Sequence, residues 1–238
     1  MKRAIILAGG KGVRLFPHTT LIPKPLVPMG GRYSILEIII MQLVKAGFSH
    51  ITLAVNHLSN LIMAYFGDGS KWGIHLDYSL ESEPLSTIGP LTLIEDLPED
   101  FLVMNGDILC NLDYAAFYNL HLAQKNEVTV SVNRREVHID FGVINYNNKN
   151  KMLSFNEKPI YSFDVSMGIF CINKKMIDQL QKCASYGFDT LMKDGLKNNN
   201  KIFVHPFDGY WLDIGRPQDY DYANENFETI FALLGVEK

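Results

Sequence analysis

The first half of the chain alternates short apolar runs with longer stretches in which apolar residues recur at helical spacing. The apolar runs predict strands at residues 4–8, 51–55, 74–78, 101–104 and 128–132. Helical spacing predicts helices at residues 35–46, 58–66 and 112–125, and residues 89–97 also fit a helix. Gly47 and Gly67 follow the first two helices, where glycine is a common C-cap. This alternation favours an α/β fold with a Rossmann-like mixed, mostly parallel sheet flanked by helices.

The second half has shorter strand patterns with less helix between them. Strands are predicted at residues 141–146, 152–155, 165–172 and 202–206, with a polar turn at residues 147–151. Helices are predicted near residues 174–183, at 188–196 and at 218–234. No linker rich in glycine or serine separates the two halves. We therefore expect a single domain over residues 1–238, with one continuous sheet and two halves at about residues 1–135 and 136–238.

Composition and charge narrow the classes of protein to consider. The chain has 238 residues, of which 47% are hydrophobic, and this is enough for a sizeable core in one α/β unit. The net charge is −4 and no basic block is longer than Arg134-Arg135, so nucleic-acid binding is disfavoured. No apolar run approaches ~18 residues, so we expect no membrane span, and the short first run argues against a signal peptide.

Cysteines and histidines give no clear metal or disulfide pattern. The three cysteines form no C-x-x-C pair, which argues against a disulfide framework or a structural zinc site and fits a reducing cytoplasm. The seven histidines are scattered without an H-x-x-x-H pair. We interpret each of them as an ordinary surface or packing residue.

A glycine-rich turn after the first predicted strand carries the strongest chemical signal. The segment LAGGKGVRLFPHTTLIPKPLVP begins at residue 7, and it contains Gly9, Gly10 and Gly12 together with the cations Lys11, Arg14 and Lys24. Backbone N–H groups in such a turn can approach phosphate oxygens, and arginine and lysine neutralise their charge. The turn therefore favours a polyphosphate ligand.

Two better-known phosphate loops do not match this turn. The dinucleotide fingerprint G-x-G-x-x-G requires a third glycine where this chain has Leu15. The Walker loop requires serine or threonine at the position of Gly12, and an earlier glycine at the position of Ile5. The turn belongs to neither class.

Two aspartates stand where strands of the predicted sheet end. Asp107 closes the tripeptide NGD after the strand at residues 101–104, and Asp213 lies in the segment WLDIG. Ligands of open parallel sheets bind at the carboxyl ends of the strands. Two carboxylates at such ends suit Mg²⁺, which takes a few protein oxygens and completes its shell with water and phosphate oxygens. Each aspartate alone would also fit a turn or a helix cap.

The N-terminal segment resembles the signature of the sugar-1-phosphate nucleotidylyltransferases, G-G-x-G-x-R-L-x-P-x-T…P-K-P-L-x-P. The matching positions are Gly9, Gly10, Gly12, Arg14, Leu15, Pro17, Thr19, Pro23, Lys24, Pro25, Leu26 and Pro28. Further matches are NGD at residues 105–107, EKP at residues 157–159 and WLDIGRP at residues 211–217. The resemblance covers nearly the whole chain and implies the nucleotide-diphospho-sugar transferase fold.

The resemblance implies an enzyme that converts an NTP and a sugar 1-phosphate into an NDP-sugar and pyrophosphate. The implied catalytic residues are Arg14, Lys24, Asp107, Lys158 and Asp213, with Mg²⁺ held by Asp107 and Asp213. The first half would bind the nucleotide through Leu7, Ala8, Gly9, Gly10, Lys11, Gly12, Arg14, Glu83, Pro84, Gly89 and Asn105. The second half would bind the sugar through Gly142, Glu157, Lys158, Ser166 and Gly168.

Three departures from the family's pattern fall on substrate recognition. Ser86 replaces a glycine and Ile88 replaces an alanine in the family segment E-P-L-G-T-A-G-P-L at residues 83–91. Ser86 takes a positive φ less readily than glycine, and Ile88 is bulky enough to narrow the pocket. Ser166 replaces the asparagine of V-N-A-G-I, and its shorter hydroxyl would reach a different partner or a water molecule.

Among the subfamilies, the segments IPKPLVP and EPL resemble those of mannose-1-phosphate guanylyltransferases and of short bacterial enzymes that activate heptose or amino-sugar 1-phosphates. GTP with one of these sugar phosphates, in bacterial surface polysaccharide synthesis, is thereby implied. Uridylyl or cytidylyl transfer to another sugar phosphate or to a non-sugar phosphate is an alternative, as is a non-catalytic sensor of sugar nucleotides. We expect a catalytic domain alone, without a C-terminal β-helix, in the cytoplasm, with no nucleic-acid or membrane partner and with homo-oligomerisation open.

Overall fold

The computed structural model describes residues 2–236 of the chain. The strands are β1 (Arg3–Leu7), β2 (Pro28–Met29), β3 (Tyr33–Ser34), β4 (His50–Val55), β5 (His75–Leu80), β6 (Asp100–Asn105), β7 (Ile108–Cys110), β8 (Val128–His138), β9 (Val143–Tyr146), β10 (Met152–Asn156), β11 (Ile160–Asn173), β12 (Ile202–Phe207) and β13 (Trp211–Asp213). The α-helices are α1 (Ile35–Lys45), α2 (Ser59–Phe66), α3 (Tyr114–Gln124), α4 (Lys175–Asp178), α5 (Phe188–Lys197), α6 (Pro217–Glu225) and α7 (Phe227–Leu234).

Seven of these strands form a central sheet in the order β12-β8-β11-β6-β1-β4-β5. β1 pairs in parallel with β4 and β6, β4 pairs in parallel with β5, and β12 pairs in parallel with β8. In contrast, β11 is antiparallel to both β6 and β8. The expected α/β fold with a mixed, mostly parallel sheet is therefore confirmed.

The central strand β1 shows why the apolar runs predicted strands correctly. Ala4, Ile5 and Ile6 have no exposed surface. Ala4 and Ile6 join a hydrophobic cluster with α1, whereas Ile5 joins the cluster on the other face with α4 and α5. Because both faces of the strand are covered, its sequence is a continuous apolar run rather than an alternating one.

The second half departs from the single continuous sheet that the sequence predicted. β9 and β10 form a separate two-stranded antiparallel sheet. β8 and β11 are longer than predicted, and their outer residues, 134–138 and 160–164, pair with each other while remaining exposed. These exposed strands have less apolar contact than core strands, so hydrophobic patterning marked only their inner parts. The expected division near residue 135 falls inside β8, and it stays a prediction.

Three predicted helices differ from the observed ones. The predicted helix at residues 218–234 is two helices, because Asn226 leaves the helical conformation and its side chain donates a hydrogen bond to Tyr222 O at 2.9 Å. The helix near residues 174–183 is the short α4, and residues 89–97 contain a 3-10 helix at Gly89–Leu93. Within residues 2–236, no helix is long and apolar enough to cross a membrane.

The small β2–β3 hairpin ties the N-terminal half to the C-terminal helices. Gly30, at its turn, has a φ of +57°, and its N–H donates to Asn224 Oδ1 at 2.9 Å. A Cβ atom at this position would lie 2.2 Å from the Phe227 ring. The hairpin and α7 can therefore pack only with glycine at residue 30. Neighbouring Gly31 has a similar φ of +65°, but a Cβ atom there would meet no atom of another residue within 4 Å, its two chain neighbours aside.

Gly30→Ala is expected to destabilise the protein by about 2–4 kcal/mol, because it adds a clash with Phe227 to the strain of a positive φ. Gly31→Ala is the matched control, since it carries the backbone strain alone, and we expect about 1–2 kcal/mol. Urea unfolding of both variants measures the difference. Equal losses in the two variants would contradict this packing account.

Candidate active site

A cleft of about 350 Å³ opens at the carboxyl ends of β1, β4 and β6. Its lining residues are Leu7, Ala8, Gly9, Gly10, Lys24, Pro25, Asn56, Glu81, Pro84, Ser86, Thr87, Pro90, Asn105, Gly106 and Asp107. This is the edge of an open α/β sheet at which ligands bind. The cleft brings together many of the residues that the sequence assigned to the nucleotide.

Gly12 allows the loop after β1 to pack closely against Thr19 and Lys24. Gly12 has a φ of +63°, and a Cβ atom there would lie 2.9 Å from Thr19 Cγ2 and 3.1 Å from Lys24 Cβ. Thr19 Oγ1 donates a hydrogen bond to Gly12 O at 2.9 Å. The glycine therefore lets the loop close against Thr19 and the stem of Lys24.

Lys24 and Asp107 form an ion pair in the cleft. Lys24 Nζ donates to Asp107 Oδ2, and the two side chains are 11% and 21% exposed. Asp107 follows the end of β6, and the neighbouring Gly106 N donates to Leu7 O at 2.9 Å. The ends of β1 and β6 are thereby tied together, and the lysine and the carboxylate meet between them.

A short ladder between β7 and β13 places the second aspartate beside the first. Asp213 is the register partner of Ile108, and Ile214 N donates to Asp107 O at 3.0 Å. The two carboxylates are far apart in the sequence but neighbours in the fold. The sequence assigned both aspartates to one site by resemblance, whereas the pairing of β7 with β13 was not predicted.

Neighbouring charged groups shift the pKa of Asp213 in opposite directions. Burial raises the pKa of Asp213, and the nearby Asp107 carboxylate raises it further, while Lys24 and Arg14 act in the opposite direction. A Cβ atom at Gly215 would lie 3.3 Å from Asp213 Oδ1 and 3.5 Å from Arg14 Nη1. Arg14 is therefore close to this carboxylate although its side chain is exposed.

The two carboxylates also have oxygens without a partner in the protein. Asp107 Oδ1 and Asp213 Oδ1 are buried, and neither has a hydrogen-bond partner among the described residues. Buried polar atoms normally have hydrogen-bond partners, so two buried carboxylate oxygens without one indicate a site that binds a ligand. A hard divalent cation prefers oxygens of this kind, so the residues present fit Mg²⁺.

At the other end of the cleft lie Glu81 and Asn56, two lining residues that the sequence did not identify. Glu81 Oε2 accepts a hydrogen bond from Leu85 N at 3.0 Å, and Asn56 Nδ2 donates to Glu81 O at 3.1 Å. Burial raises the pKa of Glu81, while the bond from Leu85 lowers it. A Cβ atom at Gly9 would lie 2.8 Å from Glu81 Oε1, so glycine there leaves room for the carboxylate. A signal existed in the sequence, because both residues follow the ends of strands.

Ser86, at the position where the family pattern has glycine, lies in the left-handed region of the backbone. Ser86 has a φ of +66° and lines the cleft. Ile88 was expected to narrow the pocket, and this expectation is wrong. Ile88 is fully buried in the hydrophobic core and does not line the cleft.

Two predicted nucleotide contacts in this segment lie away from the cleft surface. Gly89 donates its N–H to Tyr186 O at 3.0 Å, and a Cβ atom there would lie 2.5 Å from Ala184 O. Glycine at 89 therefore allows the loop before α5 to pack behind the cleft wall. Glu83 is exposed and does not line the cleft, whereas Pro84 does. Their roles toward a nucleotide stay predictions.

Gly168 links the predicted sugar site to the cleft. It has a φ of +73°, and a Cβ atom there would lie 2.6 Å from Asn105 Nδ2. Ser166 Oγ accepts a hydrogen bond from Gly168 N at 3.3 Å, so one of its acceptor positions is used within its own strand. The glycine therefore gives space to Asn105, which lines the cleft.

The remaining predicted sugar contacts lie on the exposed strands β9 to β11 and their connections. Gly142 lies against the Phe155 ring, and a Cβ atom there would be 3.2 Å from Glu157 Oε2. Glu157 and Lys158 are exposed, and neither lines the cleft. Lys11, in the other half, is exposed as well. The structure therefore does not place these side chains in the cleft lining, and their roles stay predictions.

Comparison with known proteins identifies the family. A sequence model of the family described as "Nucleotidyl transferase" matches residues 3–229. The chain belongs to the nucleotidyl transferase family. Relatives of this nucleotidyl transferase include mannose-1-phosphate guanyltransferase of Neurospora crassa, 35% identical over 233 residues, and the catalytic subunit beta of the Dictyostelium discoideum enzyme, 33% identical over 225 residues. Each match covers 92% of this chain and 62% of the relative, so the chain spans less than two thirds of these proteins.

Solved structures share the fold over nearly the whole nucleotidyl transferase chain. HddC from Yersinia pseudotuberculosis, complexed with GMP-PN, is 26% identical with a TM-score of 0.72, and the match covers 95% of this chain and 100% of that one. A putative glucose-1-phosphate thymidylyltransferase from Bacillus anthracis has a TM-score of 0.75 at 24% identity, with 94% of each chain covered. The expected resemblance and the nucleotide-diphospho-sugar transferase fold are confirmed.

The raised pKa of Asp213 predicts a pH-dependent cost to stability. A carboxyl with a raised folded-state pKa loses stability as pH rises from its ordinary range through the folded value. Asp213→Asn is therefore expected to raise the melting temperature at pH 7 without divalent metal, with the gain shrinking at acidic pH. Thermal unfolding at the two pH values measures it, with exposed Asp140→Asn as the control. A lower melting temperature for Asp213→Asn at pH 7 would contradict the assignment.

The positive φ of Ser86 predicts that glycine suits this position better. Ser86→Gly is expected to stabilise the protein by about 0.5–1 kcal/mol, because relief of strain exceeds the added freedom of the unfolded chain. Ser82 lies nearby, exposed and outside the left-handed region, so Ser82→Gly should instead destabilise by about 0.4–1 kcal/mol. Urea unfolding measures the sign of the change in the free energy of unfolding for each variant. Equal losses of stability in the two variants would contradict this interpretation.

Proposed function

We propose that this protein transfers a nucleotidyl group from an NTP to a sugar 1-phosphate, releasing pyrophosphate. The observation that carries the proposal is the meeting of Lys24, Asp107 and Asp213 at the carboxyl-end edge of the sheet. A cation and two carboxylates with unpaired oxygens suit a site that must hold several phosphate groups together. Membership of the nucleotidyl transferase family supports the same reaction class.

The roles of the residues follow from charge and position. The loop with Gly9, Gly10 and Gly12 offers backbone N–H groups to the triphosphate, and Arg14 neutralises its charge. Lys24 contacts the α-phosphate and the incoming sugar phosphate. Asp107 and Asp213 would hold Mg²⁺, which when bound neutralises charge on the phosphate oxygens.

The chemistry needs little from the protein beyond positioning. An oxygen of the sugar 1-phosphate attacks the α-phosphorus of the NTP and forms the new P–O bond. The bond between the α-phosphorus and the bridging oxygen breaks, and its electron pair leaves with pyrophosphate. The attacking oxygen is already anionic near neutral pH, so no general base is required. Lys24 and Arg14 reduce the repulsion between the two polyanions.

Guanine is the base that we propose. Glu81 lines the far end of the cleft, and its carboxylate is an acceptor for the N1–H and N2–H donors of guanine. Two relatives are named mannose-1-phosphate guanyl- or guanylyltransferases, and the HddC structure contains GMP-PN. These observations support GTP over other nucleotides.

For the acceptor we propose a mannose-, heptose- or amino-sugar 1-phosphate. Lys158 would contact its phosphate and Glu157 its hydroxyls, with Gly142, Ser166 and Gly168 near the sugar. Because these side chains are exposed, the strands β9 to β11 would have to cover the sugar when it binds. We place the reaction in the cytoplasm, where it would supply NDP-sugars for surface polysaccharide synthesis.

Pyrophosphate release with Mg²⁺, each of the four NTPs and a panel of sugar 1-phosphates tests the proposal. We expect release with GTP and one sugar phosphate of the three classes. Release with UTP or CTP instead would contradict the choice of GTP and support the alternative of uridylyl or cytidylyl transfer. Nucleotide binding without release for any pair would support the non-catalytic sensor and contradict the proposal.

Lys24→Ala or Asp107→Ala is expected to reduce kcat/KM by about 10²–10⁴, equivalent to about 3–5 kcal/mol. The first change removes a cation that would contact the reacting phosphates, and the second removes a carboxylate that would hold Mg²⁺. Lys193→Ala is the control, since Lys193 pairs with Asp189 on an exposed helix surface. Steady-state pyrophosphate assays on the three variants give the comparison. Near-normal turnover by Lys24→Ala would refute its assigned role.

A further inference from the structure

Two histidines and an aspartate form a cluster at the end of the sheet opposite the cleft. His50 begins β4 and His75 begins β5, and they are register partners in the parallel pairing of these strands. Asp77 lies two residues after His75 on β5. The cleft lies at the carboxyl ends of the strands, so this cluster at their amino ends is a separate location.

The three side chains converge on one point. His50 Nε2 lies 2.9 Å from Asp77 Oδ2, and His75 Nε2 lies 3.9 Å from the same oxygen. The two imidazole rings have centroids 4.6 Å apart. One ligand atom from each residue lies within 4.8 Å of the others. Small side-chain adjustments would therefore allow all three to reach one ion at the ~2.0–2.2 Å typical of zinc sites.

The Asp77 carboxylate has spare capacity for a ligand. Its Oδ1 is buried and has no hydrogen-bond partner among residues 2–236. Its Oδ2 also contacts Arg3 Nη2 at 3.2 Å, and Arg3 is fixed by a bond from Nε to Thr52 Oγ1 at 2.9 Å. Arg3 therefore orients the carboxylate, as the outer partners of metal ligands commonly do. Two carboxylate oxygens offer about four acceptor positions, so Arg3 and a cation can share the group.

We propose that His50, His75 and Asp77 bind one divalent transition-metal ion of the zinc class. Two imidazoles and one carboxylate suit such an ion, whereas Mg²⁺ prefers oxygen ligands and belongs to the aspartate pair in the cleft. The His75 side chain is 65% exposed and the His50 side chain 13%, so the ion enters from the His75 side. Three protein ligands leave one tetrahedral position for water.

The proposed ion would join the starts of two neighbouring strands. β5 is the outermost strand of the sheet and pairs with β4 on one side. A metal ion bridging His50 and His75 would therefore hold this outer strand in its register. An ion that binds only the folded chain stabilises it, and above the dissociation constant the stabilisation grows with the logarithm of the ion concentration.

Titration calorimetry with Zn²⁺ on the full chain, in buffer with excess Mg²⁺, tests the proposal. Wild type, His75→Gln and His138→Gln are compared. His138 is the matched control, because its side chain is 63% exposed and its Nε2 lies 3.9 Å from Glu136 Oε2. Both substituted side chains are exposed, so neither change disturbs the core. Co²⁺ absorption in the visible region reports the ligand geometry in the same three proteins.

We expect one Zn²⁺ per wild-type chain, affinity at least about tenfold weaker in His75→Gln and no change in His138→Gln. Zn²⁺ should raise the melting temperature of wild type and His138→Gln but not of His75→Gln. The tetrahedral Co²⁺ bands should disappear in His75→Gln alone. Equal Zn²⁺ affinity of His75→Gln and wild type, or no wild-type binding at about 100 μM, would overturn the proposal.

Discussion

The repulsion between two half-buried carboxylates is the constraint around which the candidate active site is built. Asp107 and Asp213 are held together by the β7–β13 ladder, and burial together with repulsion from Asp107 raises the pKa of Asp213. Lys24 and Arg14 partly compensate, but oxygens on both carboxylates still lack partners. The fold keeps an unfavourable charge arrangement at a place where phosphate and metal ligands would relieve it. Such local destabilisation is typical of functional sites, where stability is traded for activity.

Much of this arrangement could be predicted from local sequence. β1 is buried on both faces, so its residues form a continuous apolar run that ends at the glycine turn. The φ values of Gly12 and Ser86 are set by loop closure, and the family pattern marked both positions. The match of a dozen positions in one segment predicts the phosphate loop from sequence alone.

Other features depend on contacts between distant segments, and local sequence patterns do not predict such contacts. The register of Asp213 with Ile108 requires strands a hundred residues apart to pair. Glu81 and Asn56 line the cleft where Gly9, on a distant segment, leaves room for both side chains. His50 and His75 meet because β4 and β5 are parallel neighbours. From the sequence, each histidine was interpreted as an ordinary surface or packing residue. Hydrophobic patterning marked only the inner parts of β8 and β11, so their exposed outer residues and the pairing between them were missed, whereas β9, β10 and the turn between them were predicted.

Anomalous diffraction from crystals grown with Mn²⁺ and a non-hydrolysable GTP analogue would locate the metal and the phosphates in one experiment, because Mn²⁺ substitutes for Mg²⁺ at oxygen sites. We expect a Mn²⁺ peak between the carboxylates of Asp107 and Asp213, with Lys24 Nζ against the phosphates of the analogue. Bound analogue with no Mn²⁺ at these two aspartates, or with its phosphates away from Lys24, would contradict this expectation.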